Sequence, residues 1–91
     1  MRRILTNPFT NAYPHLDVHG ETSDSVLLLV KDFINDNVKL RNEYIVVIHG
    51  IGKGILRKTI HNYLKTDKSV LSYKLEVLNP GETIIKLKIV K

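Results

Sequence analysis

The sequence predicts an α/β protein, more narrowly an α+β two-layer sandwich with two helices and a mixed four-stranded sheet. Two observations lead to this fold class. Apolar residues recur at helical spacing in two segments and at every second position near the end of the chain. The helical segments also alternate with strand-like segments, so the element order is β-α-β-α-β-β. A right-handed crossover should make the first two strands parallel.

The first two elements are a short strand and a long helix. His15 to His19 alternates polar and apolar residues and ends at Gly20, which predicts a strand. Thr22 or Ser23 can cap a helix that continues to about Lys39. The buried stripe of this helix is predicted from apolar residues at helical spacing: Val26, Leu29, Val30, Phe33 and Ile34.

The middle of the chain repeats this arrangement. Residues 43–48, written EYIVVI, are rich in β-branched side chains, which predicts a buried and central parallel strand. Gly54 begins a second helix that continues to about Lys65. Its buried side is predicted to consist of four residues at helical spacing: Leu56, Ile60, Tyr63 and Leu64.

The last two elements are strands. Apolar residues alternate with polar ones on both sides of the Asn-Pro-Gly turn at 79–81. This pattern predicts an antiparallel terminal hairpin. The inward residues are predicted to be Leu71, Tyr73, Leu75 and Val77 on the first strand, and Ile85, Leu87 and Ile89 on the second.

Composition and charge restrict the class of protein. With 91 residues, 43% hydrophobic and 25% charged, the chain has the composition of one globular domain. Fourteen Lys and Arg against nine Asp and Glu give a net charge of +5, which favours a polyanionic partner such as RNA or DNA. The absence of cysteine excludes disulfides and thiolate metal sites.

The ends of the chain carry expectations about organisation and location. Residues 1–14, with Arg2, Arg3 and two prolines, are expected to form an extended basic arm, and residues 15–91 the folded domain. No segment has membrane-spanning length and the start lacks an apolar signal region, so we expect a soluble cytoplasmic protein without a membrane partner. Met1 and the arm fit a free-standing chain, for which we expect a monomer.

Residues 49–58, written HGIGKGILRK, are the most informative stretch. Three glycines at alternate positions predict left-handed torsions or close approach to a ligand. The spacing matches neither a Walker loop nor a dinucleotide fingerprint. What remains is a helix N-terminus that attracts an anion, with Lys53 and Arg57 beside it. Because both parallel strands end in His-Gly, the two histidines and this loop should meet at one edge of the sheet.

Two motifs in these segments resemble those of the small MutS-related (Smr) domain family. Residues 16–20, LDVHG, match its LDxHG motif, and residues 49–54, HGIGKG, match its HGxGxG loop, with the family's Leu-Arg pair following at 56–57. The resemblance covers roughly residues 15–90. It implies a fold similar to the C-terminal domain of bacterial translation initiation factor three, and nucleic-acid binding with nicking or endonuclease activity on DNA or RNA.

The sequence departs from the family at one turn. Where the family commonly has GGxGxT, residues 79–83 read NPGET and retain only Gly81 and Thr83. Pro80 removes a backbone donor and Glu82 adds a negative charge, which disfavours a phosphate contact at this corner.

With the resemblance, the residues take candidate roles. His49 or His19 would move a proton, and Asp17 would fix the tautomer of the histidine. The candidates for binding phosphate are Gly50, Gly52, Lys53, Gly54, Arg57, Lys58 and His61. RNA is slightly preferred over DNA, because its own 2′-hydroxyl can serve as the nucleophile.

Plainer interpretations stay open beside these. Asp17 and His19 could orient each other, bind a metal or only cap a turn, and the glycines could serve only a tight turn. The basic stripe could be a solvated helix face, and His15 and His61 could be structural or surface residues. No strong metal motif is present, so no cofactor is assigned and a divalent metal ion stays open. The alternative function is a non-catalytic RNA- or DNA-binding module that acts on the ribosome or on repair machinery.

Overall fold

The computed structural model describes residues 12–90. The six elements are β1 (His15–Asp17), α1 (Ser23–Lys39), β2 (Tyr44–Ile48), α2 (Ile55–Leu64), β3 (Val70–Leu75) and β4 (Glu82–Leu87). The sheet order is β1-β2-β4-β3. The pair β1–β2 is parallel, and β4 pairs antiparallel with both β2 and β3. The predicted element order and the mixed four-stranded sheet are confirmed.

Helix α1 begins at the residue that the sequence offered for capping. Thr22 accepts a hydrogen bond from the backbone N–H of Ser25, and the Ser25 hydroxyl accepts one from the Thr22 N–H. This reciprocal pair satisfies two backbone donors that the first turn leaves without helical partners. The helix ends at Lys39, and Arg41, two residues later, has a left-handed φ of 62°. The cap fixes the first residue of α1, and therefore the length of the connection between β1 and α1.

Both helices pack on one face of the sheet. Ile45 and Val47 of β2 point to the same face as Ile85 and Leu87 of β4, as their register requires. The buried residues on this face join those of both helices in one core: Val18, Val26, Val30, Ile34, Ile45, Val47, Ile60, Leu64, Ile85 and Leu87. The core holds β2 in the middle of the sheet, where the β-branched run predicted it.

Three predicted core positions are wrong. Leu29 lies at the margin of the α1 stripe and is exposed, and buried Asn37 extends the stripe instead. A bulge between Val70 and Ser72 makes Leu71 an extra residue of β3, which leaves its side chain 57% exposed. Val77 lies beyond the end of β3 at Leu75 and is also exposed.

The predicted basic arm, residues 1–14, falls mostly outside the described residues. Its last two residues join the sheet. Tyr13 stacks on Tyr44 with ring centroids 5.2 Å apart, and the Pro14 carbonyl accepts a hydrogen bond from the Val46 N–H. Neither α1 nor α2, the helices of the described residues, is long and apolar enough to cross a membrane.

Candidate functional site

The two His-Gly strand ends lie side by side at one edge of the sheet. Asp17 of β1 is opposite Ile48 of β2, and the Val18 N–H donates to the Ile48 carbonyl at 2.8 Å. A Cβ built on Gly50 would lie 3.5 Å from the Cβ of His19. The parallel pairing therefore brings His19 against the start of the glycine loop, residues 50–54.

The glycine loop depends on left-handed backbone. Gly50 has a φ of 82°, Gly52 of 31° and Gly54 of 79°. Side chains with a Cβ rarely adopt this region, so local sterics explain the three glycines. Gly54 is also the N-cap of α2, which has no side-chain cap and no acidic residue in its first turn. The N-terminus of α2 thus presents backbone donors and a partial positive charge beside the loop.

A groove of about 320 Å³ lies over this loop. Its walls are the loop itself, the start of α2, and Gly20, Glu21 and His49. Lys53 and Arg57 contribute positive charge, and Glu21 contributes negative charge. The guanidinium of Arg57 folds back over the loop, since a Cβ built on Gly54 would lie 3.0 Å from its Nη2. The lining has a cationic excess and is suited to an anion.

Asp17 and His19, just before Gly20 of the groove lining, form a hydrogen-bonded pair. The Nδ1 of His19 lies 2.5 Å from Oδ1 of Asp17, and the backbone N–H of His19 donates to the same oxygen. Because the carboxylate only accepts, Nδ1 carries the proton and Nε2 is left without a partner among residues 12–90. The two side chains are 70% and 51% exposed for His19 and Asp17.

This pair shifts the ionisation of both groups. The hydrogen bond from His19 lowers the pKa of Asp17. The same hydrogen bond, together with the negative charge of Asp17, raises the pKa of His19 above its ordinary value of 6.5. The arrangement holds one tautomer and makes His19 a stronger base than a free imidazole.

His49, at the second strand end, has the opposite environment. It is 5% exposed, and both ring nitrogens have protein partners. Its Nδ1 lies 2.8 Å from the carbonyl oxygen of Gly50, and its Nε2 lies 2.8 Å from Oγ1 of Thr83. Burial is the main cause that lowers the pKa of His49. The hydrogen bond to the Gly50 carbonyl raises this pKa, and the positive charge of Arg57 lowers it. His49 is a neutral, anchored ring.

His61 turns away from the basic stripe on which its spacing placed it. Its Nε2 lies 2.8 Å from Oγ1 of Thr83, and its ring contacts Tyr73 with centroids 4.8 Å apart. Burial lowers the pKa of His61, and the charges of His49, Arg57 and Lys65 act in the same direction. Arg57, Lys58 and Lys65 remain exposed on α2.

The 79–83 turn supports the loop from behind. The Gly81 carbonyl accepts hydrogen bonds from the N–H groups of both His49 and Gly50, at 2.9 and 3.0 Å. A Cβ on Gly81 would lie 3.3 Å from the carbonyl carbon of Gly50. The Gly81 N–H donates to the side chain of Asn79. The two residues of the family turn that this sequence retains, Gly81 and Thr83, are those that contact the loop and His49.

The sequence candidates thus separate into two groups. Residues 50–57 line the groove, and the Asp17–His19 pair lies next to Gly50. His61 is not part of the lining. Thr83 and Gly81 were not among the candidates, although their retention in the altered turn was a signal. Within residues 12–90, no group of three or more His, Cys, Asp or Glu side chains is placed to hold a metal ion.

Comparison with known proteins agrees with the family resemblance of the two sequence motifs. The family model for the Smr domain matches residues 16–88. An endonuclease MutS2 from Caldicellulosiruptor bescii is 34% identical over 76 residues, which span 80% of this chain and 10% of that protein. An endonuclease MutS2 from Caldanaerobacter subterraneus subsp. tengcongensis is 36% identical over 88 residues, which span 93% of this chain and 11% of that protein. The chain therefore corresponds to about a tenth of the length of these relatives.

Solved structures show the same fold. The Smr domain of Thermus thermophilus MutS2 superposes with a TM-score of 0.80 at 28% identity, covering 82% of this chain and 98% of that one. YdaL, a stand-alone small MutS-related protein from Escherichia coli, superposes with a TM-score of 0.79 at 18% identity, covering 97% of this chain and 81% of that one.

Proposed function

The chain belongs to the Smr domain family, and from this premise we propose that it binds nucleic acid and cleaves phosphodiester bonds, with RNA preferred over DNA. One observation carries the proposal. His19, whose Nε2 has no hydrogen-bond partner within residues 12–90 and whose ring is oriented by a carboxylate, lies against a glycine loop that suits a phosphate. The MutS2 relatives are named endonucleases, which agrees with this chemistry.

The loop would hold the phosphate. Backbone N–H groups at the start of α2 and its macrodipole attract an anion, and the groove is open above them. Lys53 and Arg57 add full positive charges on the same lining. These donors would also stabilise the additional negative charge that develops on the phosphoryl oxygens during cleavage.

His19 would move the proton. In RNA, Nε2 of His19 accepts the proton of the 2′-hydroxyl, the 2′-oxygen attacks phosphorus, and the bond to the 5′-oxygen breaks. The 5′-oxygen then takes that proton, so the products are a 2′,3′-cyclic phosphate and a 5′-hydroxyl. Asp17 keeps the Nδ1–H tautomer and stabilises the imidazolium that forms. His49 is less suited to this task, because both of its nitrogens already have partners.

The exposed cations of α2 would follow the backbone of the nucleic acid. Arg57, Lys58 and Lys65 lie on the helix that begins at the groove. Such contacts bind any sequence, and they weaken as salt rises. Specificity would then come from the strand conformation that places a phosphate over the loop.

The test is cleavage of labelled RNA and of DNA of the same sequence by the pure chain. Each reaction is run with EDTA and with a divalent metal ion, which also determines whether a metal is required. We expect RNA fragments that end in a cyclic phosphate, and their loss in His19→Ala. Cleavage that persists in His19→Ala and in His49→Ala would assign the activity to another site or to a contaminant.

A second candidate is a non-catalytic binding module that acts on the ribosome or on repair machinery. The exposure of Asp17 and His19 favours it, since the pair is open to solvent in the chain alone. Binding of both nucleic acids without fragments under any condition would support this candidate over the nuclease.

A further inference from the structure

One buried hydroxyl joins two histidines behind the groove. Thr83 lies on β4 opposite Val47, and its side chain is fully buried on the helix-covered face of the sheet. Its Oγ1 lies 2.8 Å from Nε2 of His49 and 2.8 Å from Nε2 of His61. A threonine hydroxyl has one proton to donate, so it cannot donate to both rings.

The direction of these hydrogen bonds follows from the carbonyl of Gly50. A carbonyl oxygen only accepts, so Nδ1 of neutral His49 carries the proton and its Nε2 accepts. Thr83 therefore donates to His49. The Thr83 oxygen in turn accepts the proton on Nε2 of His61. The result is a directed series, which we call the relay: His61 to Thr83, Thr83 to His49, and His49 to Gly50.

This assignment requires His49 to be neutral, so that its Nε2 can accept, and His61 to carry a proton on Nε2. The surroundings of both rings oppose the charged form. Burial is the main cause that lowers the pKa of each ring. The charges that face them, Arg57 for both and Lys65 for His61, are positive and also oppose protonation. From β3, Tyr73 presents its ring to His61.

The relay ends on the peptide that begins the glycine loop. The N–H of Gly50 donates to Gly81, and its carbonyl accepts from His49, so both sides of this residue are held. In a trans peptide the carbonyl and the following N–H point in opposite directions. Fixing the Gly50 carbonyl therefore fixes the direction of the Ile51 N–H within the loop.

We propose that Thr83 and His61 are positioning residues for phosphate binding, which they support by orienting the glycine loop through His49. The inference rests on the proposed function of that loop. It gives a role to the two residues that lie behind the groove, and it assigns the retained threonine of the altered turn to the loop rather than to direct phosphate contact.

The first test needs no ligand. Ring ¹⁵N chemical shifts of the 91-residue chain should show His49 with its proton on Nδ1 and His61 with its proton on Nε2. The other tautomer of either ring, or a protonated His49 ring near neutral pH, would overturn the relay whatever the protein binds.

The second test measures affinity for short 2′-O-methyl RNA, which lacks the nucleophile and stays intact. Thr83→Val keeps the shape and should weaken binding about tenfold, the scale of leaving one buried polar group unsatisfied. Thr83→Ser should restore most of the affinity. Thr66→Val is the matched control, because it removes a hydroxyl bonded to the Tyr63 carbonyl just beyond the far end of α2.

If Thr83→Val fails to fold, His61→Phe tests the same positioning role. His61→Phe keeps a ring against Tyr73 but removes the donor to Thr83, and it should weaken binding by a few-fold. Wild-type affinity in folded Thr83→Val or His61→Phe would overturn the positioning role while the proposed function stands. No binding by the wild-type chain would remove the proposed function and this role with it, although the tautomers would still be measured.

Discussion

The two His-Gly corners have the same dipeptide at the ends of neighbouring parallel strands, yet their chemistry is opposite. His19 follows β1, an edge strand, and is 70% exposed with a carboxylate partner that raises its pKa. His49 follows β2, a central strand, and is 5% exposed with a lowered pKa. Position in the sheet decides the difference: an edge leaves one ring to solvent, and neighbours on both sides enclose the other.

This comparison separates a group that can react from a group that holds the backbone. In the described part of the chain, Nε2 of the exposed ring has no partner, whereas the buried ring uses both of its nitrogens. A shared motif is therefore a poor guide to a shared role when the neighbours differ. The five predictions below test this division.

The largest effect should come from the exposed corner. His19→Ala and Asp17→Asn should each reduce RNA cleavage about a hundredfold or more, the usual scale for general acid–base catalysis. Affinity for 2′-O-methyl RNA should change little. The measurement is single-turnover cleavage, with His15→Ala as the control, since His15 is an exposed histidine at the start of the same strand.

The buried corner should dominate stability instead. His49→Ala removes the partner of the Thr83 hydroxyl and of the Gly50 carbonyl, and should lower the free energy of unfolding by about 2 kcal/mol or more. Denaturant unfolding would measure it. His19→Ala should leave the unfolding midpoint close to that of the wild type, and a comparable loss in both variants would contradict the division.

The pH dependence of cleavage should report the Asp17–His19 pair. Because Asp17 raises the pKa of His19, the rate should rise with pH through a midpoint above the ordinary histidine value of 6.5. In Asp17→Asn the negative charge is absent, so the residual rate should have a lower midpoint. Equal midpoints in the two proteins would show that another group titrates.

The histidines at the two corners should change the free energy of unfolding in opposite directions as pH changes. His49 and His61 have lowered pKa values, so their contribution is present above the unfolded-state value of about 6.5 and is lost as pH falls. His19 has a raised pKa, so its contribution is present below that value and is lost as pH rises through its folded-state pKa. Unfolding of wild type and His19→Ala across this range would separate the two: the variant should lose more stability on acidification.

The smallest effect concerns Arg57 on α2, the helix that follows His49 along the chain. If Arg57 contacts one phosphate, Arg57→Ala should reduce the slope of log affinity against log salt by about 0.7 for single-stranded RNA. Lys31→Ala, which removes an exposed cation from α1, is the control. An unchanged slope in Arg57→Ala would place the basic stripe in solvent, as the plainer interpretation of the sequence has it.

Much of the fold followed from local patterns. The β-branched run of β2 predicted a central strand, and Thr22 marked the start of α1 within one residue. The errors arose where pairing overrides pattern. Leu71 has the alternation of a core residue, but a bulge that depends on the partner strand exposes it.

The site was predictable to a similar extent. The loop glycines were recognisable because left-handed torsions restrict the residue type locally. The inward turn of His61 was not, because helical spacing places residues on a face without saying what covers that face. Thr83 was not predicted as a site residue, because its hydrogen bonds are to two histidine rings that other elements contribute.

The sequence alone determined what depends on neighbours along the chain: the helix period, the strand alternation, the cap at Thr22 and the glycine positions. It also placed Asp17 within reach of His19, two residues away along the chain. Only the tertiary structure decided which histidine is exposed and which is anchored. The Thr83 partner of His49 is 34 positions away. The burial that lowers the pKa of His49 arises only when distant elements pack together.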